Sequence, residues 1–238
     1  MNQRYERQLI IFGEDGQKKL SDARVGVVGC GGLGTNVLTA LASAGVGHLV
    51  IADGDVPAPS NLNRQFIYRM GQERKKAELM AEWLASVNPN IDVRFHPEKV
   101  TTDNAEAVLG GSDILVDCLD NIPARKEISR YAVRSGKTLV HAGVIGFHGQ
   151  VTVVVPGKTP CLDCLLKAVE KRPVLPSVGA AVSFIGAAEA AEVIKLITGV
   201  GEPLIGKLFT ADLTSNSFEV VDVARDVQCP ICSKIVNT

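Results

Sequence analysis

Hydrophobic and polar positions follow two rhythms along this chain, and the changes of rhythm mark its elements. Ala23 to Val28 is apolar and largely β-branched apart from Arg24, as a strand buried on both faces requires. Thr35 to Ala44 carries an apolar stripe at helical spacing, and His48 to Ala52 predicts a second strand. A helix is expected from about Gln72 to Val87, stopping before Pro89. Ile91 to Phe95 alternates as a strand does, Asn104 to Leu109 reads as a short helix, and Asp113 to Cys118 is apolar enough for the middle of a sheet. Pro123 to Ser135 adds a helix and Thr138 to Gly143 a strand. Strand and helix in succession predict a parallel sheet with helices on both faces.

The pattern changes near Gly146. Gln150 to Val155 is a strand closed by the turn pair Pro156-Gly157. Gly206 to Asp212 and Ser217 to Val223 are two more strands, joined by Leu213-Thr214-Ser215-Asn216 in the manner of a hairpin. Ahead of them runs a helix from about Ala181 to Thr198, ended by Gly199. Its alanines and Gly186 suit close packing on the sheet or on another subunit. The expected fold is α/β: a Rossmann-like mixed sheet, parallel in its N-terminal part and antiparallel in its C-terminal part, in one domain spanning 1–238.

The chemistry starts at Gly29-Cys30-Gly31-Gly32-Leu33-Gly34, between the first strand and the first helix. Gly29 permits the tight turn, Gly31 lets backbone N–H groups approach a phosphate, and Gly34 lets helix and strand pack closely. The helix N-terminus adds unpaired donors and a positive partial charge. Asp53 ends the second strand, where a carboxylate can accept from ribose hydroxyls, and Asp55 follows it. A glycine-rich turn also occurs as bare structure. Strand, turn, helix, strand and acid in that order mark a nucleotide site.

A hydrophobic content of 46% with 21% charged residues supports a substantial core, and a net charge of −1 gives no broad footprint for nucleic acid. Arg69, Arg74, Lys75 and Lys76 form a local basic cluster whose plain reading is a solvated helix start. No signal pattern opens the chain and no apolar run would span a bilayer, so a cytoplasmic protein with reduced thiols and no membrane partner is expected.

Those thiols are patterned. Cys161-Leu-Asp-Cys164 and Cys229-Pro-Ile-Cys232 are two CxxC pairs, which together can complete a closed tetrahedral zinc site. Four thiolates leave no open position, so such a zinc would tie the C-terminal tail to the segment after Val155 rather than activate water. A redox pair or an iron–sulfur cluster are the other readings of these cysteines. Cys30 and Cys118 are expected to be buried structural residues.

With ATP on the glycine turn, the candidate residues lie beyond the C-terminal ends of the strands. They are Asn61, Arg64 and Gln65 after the second strand, Lys76 at the next helix start, and Asp120 with Asn121 after Asp117. Arg64 and Lys76 would neutralise phosphate charge, and Asp120 would hold Mg²⁺, which prefers oxygen ligands. The plain readings are solvated cations and, for Asp120-Asn121, a helix N-cap. Arg125 is expected at the surface or paired with Asp120, and His48, His96, His141 and His148 are expected to be structural. The set lacks an acid–base pair, which fits a nucleophile already ionised. A carboxylate with a pKa of about 3.5 to 4.3 needs no base when it attacks the α-phosphorus of ATP and expels pyrophosphate.

These motifs together resemble the ThiF/MoeB/HesA family, bacterial relatives of ubiquitin-activating enzymes. The resemblance runs from Tyr5-x-Arg7-Gln8 through the Gly29–Gly34 turn, Asp53-Gly-Asp55, Ser60-Asn61-Leu-Asn-Arg64-Gln65 and Lys76-Ala77-Glu78. It continues through Asp117-x-x-Asp120-Asn121 and Gly146-Phe147-x-Gly149-Gln150-Val151 to both CxxC pairs. It implies a homodimeric adenylation domain, with residues 1–145 as the nucleotide-binding half and 146–238 as the half that binds the carrier and zinc. The implied substrate is the C-terminal glycine of a ubiquitin-like sulfur-carrier protein of the ThiS or MoaD type, ending in Gly-Gly. By the same resemblance Asp53 binds ribose, Asn61, Arg64 and Lys76 contact the phosphates, Asp120 ligates Mg²⁺, and Arg7 reaches the partner subunit's site.

One departure stands out. Many family members carry a cysteine ahead of the long helix, but 168–179 contains none and Arg172 falls about there. The reaction is therefore expected to stop at the acyl-adenylate, and the lack of a rhodanese-like extension after Cys232 agrees. A nicotinamide-dependent oxidoreductase on the same glycine turn would need a catalytic His, Lys or Tyr and a substrate domain, neither of which is evident. A scaffold that binds without turnover is opposed by intact Arg7, Arg64, Lys76 and Asp120.

Overall fold

Helix α1 (Glu6–Asp22) leads into strand β1 (Arg24–Val28), around which the rest of the computed structural model is arranged. The structure describes residues 3–167 and 176–233. After β1 come α2 (Gly32–Ala44), β2 (His48–Ala52), α3 (Lys76–Val87), β3 (Asp92–His96), α4 (Ala105–Leu109), β4 (Ile114–Asp117) and α5 (Ile122–Ser135). The chain continues through β5 (Thr138–Ile145), β6 (His148–Val154), the short α6 (Leu162–Leu165), α7 (Gly179–Thr198), β7 (Lys207–Asp212) and β8 (Ser217–Asp222).

All eight strands form one sheet in the order β3-β2-β1-β4-β5-β6-β7-β8. β3, β2, β1, β4 and β5 run parallel, and every pairing from β5 to β8 is antiparallel. The mixed sheet expected from the sequence is therefore the one found. Successive side chains of a strand serve opposite faces. Val27 and Val116 face a core built with Val37 and Leu41 of α2, Met80 of α3 and Ile185 of α7. Val28 and Leu115 face a second core, with Leu109 of α4, Ile128 of α5 and Leu162 of α6.

The short α6 is not expected from the sequence, and two longer helices also differ from that reading. Helix α1 has no counterpart in it, because only Gly16 and Leu20 of its residues are buried and Gly13, at φ +67°, breaks its helical run. So sparse a stripe gives no helical period to read. Helix α3 starts at Lys76 rather than Gln72. Among the described residues, no helix is long and apolar enough to cross a membrane.

Candidate active site

The C-terminal ends of β1 and β4 lie side by side, with Val28 opposite Asp117. From β1 the chain moves to β2 on one side, and from β4 to β5 on the other. Open α/β sheets bind ligands in the crevice at such a reversal.

The glycine turn sits on that crevice. Gly29 takes φ +100°, and a Cβ there would stand 2.6 Å from the carbonyl oxygen of Cys118, so the turn is pressed against the loop after β4. A Cβ on Gly34 would collide with the carbonyl oxygen of Gly29. Over Gly31 the space is open, with only Gln65 Nε2 within 4 Å of a Cβ placed there. No side chain caps the N-terminus of α2, which leaves its first N–H groups to an anion. The residues present thus fit a bound phosphate.

Around this turn the structure gathers most of the sequence-derived candidates. Asp53 accepts from Cys30 N through Oδ2 (2.8 Å) and from Asp55 N through Oδ1 (2.8 Å), so it braces the turn and keeps its remaining lone pairs for hydroxyls. Burial raises its pKa, against the pull of those two N–H donors and of Lys76. Lys76 is only 6% exposed and approaches Asp55 Oδ2 at 4.0 Å, so it is an inward cation and not a solvated helix start. Arg64 lies along the turn, its Cγ 3.4 Å from a Cβ placed on Gly32, and its Nη1 donates to Ser60 O (2.9 Å) and Asn63 Oδ1 (2.7 Å). Gln65 is buried, and its Oε1 has no hydrogen-bond partner among the described residues. Asn61 uses its Oδ1 to accept from Ala58 N (3.1 Å), closing the turn that presents Arg64. Asp120 is exposed on the loop after β4, beside Asn121, whose Oδ1 caps α5 by accepting from Ala124 N (3.0 Å).

Arg125 corrects an expectation. It is neither at the surface nor paired with Asp120; it is 8% exposed, and its Nη1 meets Asp117 Oδ2 at 3.2 Å. It shares the inner face of α5 with Ile128, Ser129 and Ala132, a spacing that turns it under the sheet edge. His141 Nδ1 lies 2.8 Å from the same Asp117 oxygen. Burial alone would raise the pKa of Asp117, but Arg125 and His141 outweigh it and hold the carboxyl below its usual range. Burial pushes His141 down, so the ring is a neutral structural partner. Cys30 and Cys118 are buried with thiol pKa values driven well up by burial, as their structural reading requires.

The four patterned cysteines converge away from the turn. Cys161, Cys164, Cys229 and Cys232 place their sulfurs within 4.8 Å of one another, all as free thiols. Three of the separations are 3.5, 3.7 and 4.0 Å. An ideal tetrahedron with metal–sulfur bonds of about 2.3 Å has edges of about 3.8 Å. The donor set fits a thiophilic metal, and Asp163 beside Cys164 is held bidentately by Arg130 of α5 (2.7 and 3.0 Å).

Residues 5–231 match the model of the ThiF family. The chain belongs to the ThiF family. Its relatives include a sulfur carrier protein adenylyltransferase of Thermus thermophilus, 37% identical, with 96% of this chain and 90% of the relative covered. A SAMP-activating enzyme E1 of Haloferax volcanii is 35% identical, with 97% and 88% covered. Among solved structures, E. coli MccB crystallised with ATP superposes with a TM-score of 0.87 at 25% identity, covering 98% of this chain and 75% of that one. By class this ThiF-family chain is an adenylyltransferase.

Arg7, expected to reach the partner subunit's site, lies away from this chain's own glycine turn. Arg7 is exposed on α1, and its neighbours Tyr5 and Gln8 pack at the C-terminal end of α2, where Gln8 Nε2 donates to Ala44 O (2.7 Å). The glycine turn is at the other end of that 13-residue helix, about 20 Å away. A cavity of about 390 Å³ lies at the α1 end, between Tyr5, Gln17, Gly45 and Ile91, and holds none of the candidate residues. Residues 168–175, where Arg172 stands in place of the expected cysteine, are outside the described residues.

Sequence reading also passed over Glu189, which is fully buried in the otherwise alanine-rich α7. Its Oε2 lies 3.6 Å from Cys118 Sγ, and its Oε1 meets no hydrogen-bond geometry among the described residues. Burial, then Asp117, push its pKa well up, so the folded chain keeps a proton there that the unfolded chain releases above about pH 4.3. Stability from this site is therefore present in acid and lost as pH rises. Glu189→Gln removes that linkage, and its melting temperature relative to the unmutated protein is expected to be higher at pH 7 than at pH 5. A difference that stays constant across that range would show that Glu189 is not a stored acid.

Proposed function

We propose that this ThiF-family chain uses ATP and Mg²⁺ to adenylate the C-terminal glycine of a ubiquitin-like sulfur-carrier protein of the ThiS or MoaD type. The product would be an acyl-adenylate for later sulfur transfer in cofactor or amino-acid biosynthesis. The observation that carries this reading is the convergence of an uncapped helix N-terminus, Arg64, Gln65, Lys76 and Asp53 at the strand-order reversal. The names of the relatives in Thermus thermophilus and Haloferax volcanii support the choice of a small protein substrate.

In this reading the glycine turn (Gly29, Gly31, Gly32, Gly34) and the N-terminus of α2 hold the phosphates, and Asp53 takes the ribose hydroxyls. Asn61, Arg64, Gln65 and Lys76 surround the phosphate chain. Arg64 and Lys76 balance the charge that builds on pyrophosphate as the carrier carboxylate bonds to the α-phosphorus. Asp120 would hold Mg²⁺, with Asp55 and Asn121 at the rim; bound there, the ion would draw off phosphate charge. No base is required, since the attacking glycine carboxylate is already ionised at neutral pH.

The chain would act as a homodimer in the cytoplasm. Ile10 and Ile11, 86% and 64% exposed on α1, give it an apolar surface beside Arg7 that a second subunit would cover, carrying Arg7 into the partner's site. Residues 1–145 would serve the nucleotide and 146–238 the carrier and a structural Zn²⁺ on the four cysteines. Phe184 and Phe218, both exposed, cluster with the partly buried Phe209 and supply an apolar face on that second half.

The test is ATP–pyrophosphate exchange with Mg²⁺ across a panel of small carriers ending in Gly-Gly. Exchange that appears with one carrier alone would establish the reaction and its partner together. A chain that binds no ATP would overturn the reading.

A further inference from the structure

The loop that carries Asp120 leaves the sheet at Asp117, so its backbone has lost most of its ladder partners. Cys118 N still reaches Val28 O (2.9 Å), but the next peptide groups depend on side chains. Leu119 is held from both directions. Its N–H donates to Asp117 Oδ1 at 3.0 Å, and its carbonyl accepts from Arg125 Nη2. Arg125 also donates from Nη1 to the carbonyl of Ala142 on β5 and pairs with the second oxygen of Asp117. His141 Nδ1 supports that same oxygen at 2.8 Å, so a fully buried carboxylate and a nearly buried guanidinium clamp the two peptide groups that flank Leu119. The clamped residue immediately precedes Asp120, whose own side chain is exposed and touches only Asn121 Nδ2 (3.3 Å) among the described residues.

We infer that Arg125 and Asp117 are positioning residues for Asp120, fixing its backbone so that its carboxylate meets a nucleotide-bound divalent cation in one geometry. The inference rests on the proposed role of Asp120. A buried ion pair alone adds little stability, because desolvation offsets most of its attraction. This pair also hydrogen-bonds the N–H and the carbonyl of Leu119, in the two peptide groups on either side of its Cα, and the same loop backs Gly29 through the Cys118 carbonyl. Mg²⁺ demands near-octahedral geometry and takes few protein carboxylates, so a displaced carboxylate is a weaker ligand. Lysine in place of Arg125 keeps the charge beside Asp117 but lacks the planar fork that reaches Leu119 and Ala142 together.

The test uses Mn²⁺ binding to the full chain with ATP, read by electron paramagnetic resonance with no carrier present, so it is independent of whether any carrier supports exchange. Arg125→Lys is expected to weaken Mn²⁺ binding about 10-fold or more, as loss of a group that orients a metal ligand does. ATP affinity without metal should be unchanged. Asp120→Ala should weaken Mn²⁺ at least as much, and the double variant should fall no further than Asp120→Ala alone. Backbone hydrogen exchange across 118–121 should quicken in Arg125→Lys. Wild-type Mn²⁺ affinity in Arg125→Lys, or losses that simply add in the double variant, would overturn the inference. An Asp120→Ala chain that binds Mn²⁺ normally would remove it together with the role of Asp120. Should Arg125→Lys not fold, Asp117→Asn, which keeps the shape and removes the charge that holds the fork, is read against the same criteria.

Discussion

Arg64→Ala is expected to lower carrier-dependent ATP–pyrophosphate exchange by about 10²- to 10³-fold, the usual cost of removing one group that stabilises transition-state charge. The fold should be untouched. Among the described residues Arg64 is bonded only within its own turn, to Ser60 O and Asn63 Oδ1, and it carries no part of either core. Its loss therefore costs the folded chain little while taking a guanidinium from the phosphate path beside Gly32. The effect should fall mainly on kcat. In the proposed site the uncapped N–H groups of α2 and inward Lys76 would still bind ground-state ATP, whereas the charge arriving on pyrophosphate would need a cation at the leaving end. Exchange kinetics at saturating ATP, paired with calorimetric ATP binding and a melting curve, check this. A variant that exchanges within a few-fold of the unmutated protein would remove Arg64 from the chemistry. A collapse of ATP affinity with an unchanged kcat would make it a ground-state binding residue.

How much of this was readable beforehand depends on the physical signal each feature leaves. Strands β1, β2 and β4 were legible because strands buried on both faces need continuous apolar runs, and the glycine turn because backbone contact with a neighbouring loop excludes a Cβ at Gly29. The antiparallel end was legible from its turns: Asn216 takes φ +55°, a conformation asparagine tolerates, where the hairpin of β7 and β8 was expected. Helix α1 left no such mark. Its apolar residues Ile10 and Ile11 face outward, so its periodicity does not describe this chain's own core.

The Asp117–Arg125–His141 group was hidden for a different reason. Charged side chains are rarely buried unless paired, so an arginine one turn into a helix reads as solvated until its partners are placed. A cue was present nonetheless: Arg125 falls in step with Ile128, Ser129 and Ala132, on the face that packs inward. An arginine at a core-facing position, with an aspartate closing an apolar strand just upstream, is the pattern of a buried pair. Lys76 repeats the lesson, since it heads α3 in step with the buried Ala77 and Met80.

Cys161→Ser is expected to produce the largest loss of stability, with a drop in melting temperature of about 10 °C. A structural site of four thiolates contributes its binding free energy to folding, and a domain of this size loses about 2–4 °C per kcal/mol. Cys161 and Cys229 are fully buried, so serine at Cys161 also leaves a hard, poorly matched hydroxyl among sulfurs. The effect should remain local. The cluster joins the loop after β6 to the segment after β8, while the glycine turn is built from β1, α2 and the loops after β2 and β4. ATP binding at low temperature should therefore survive, which separates this variant from Arg64→Ala. Metal analysis should find one zinc per chain before the substitution and well under one after it. A chelator should lower the melting temperature of the unmutated protein by about the same amount and leave the variant unmoved. Iron in place of zinc, with visible absorption, would identify a cluster; a protein without metal whose melting temperature responds to oxidation would identify a redox pair. Full metal content and an unshifted melting temperature in Cys161→Ser would mean that these four sulfurs hold nothing the fold depends on.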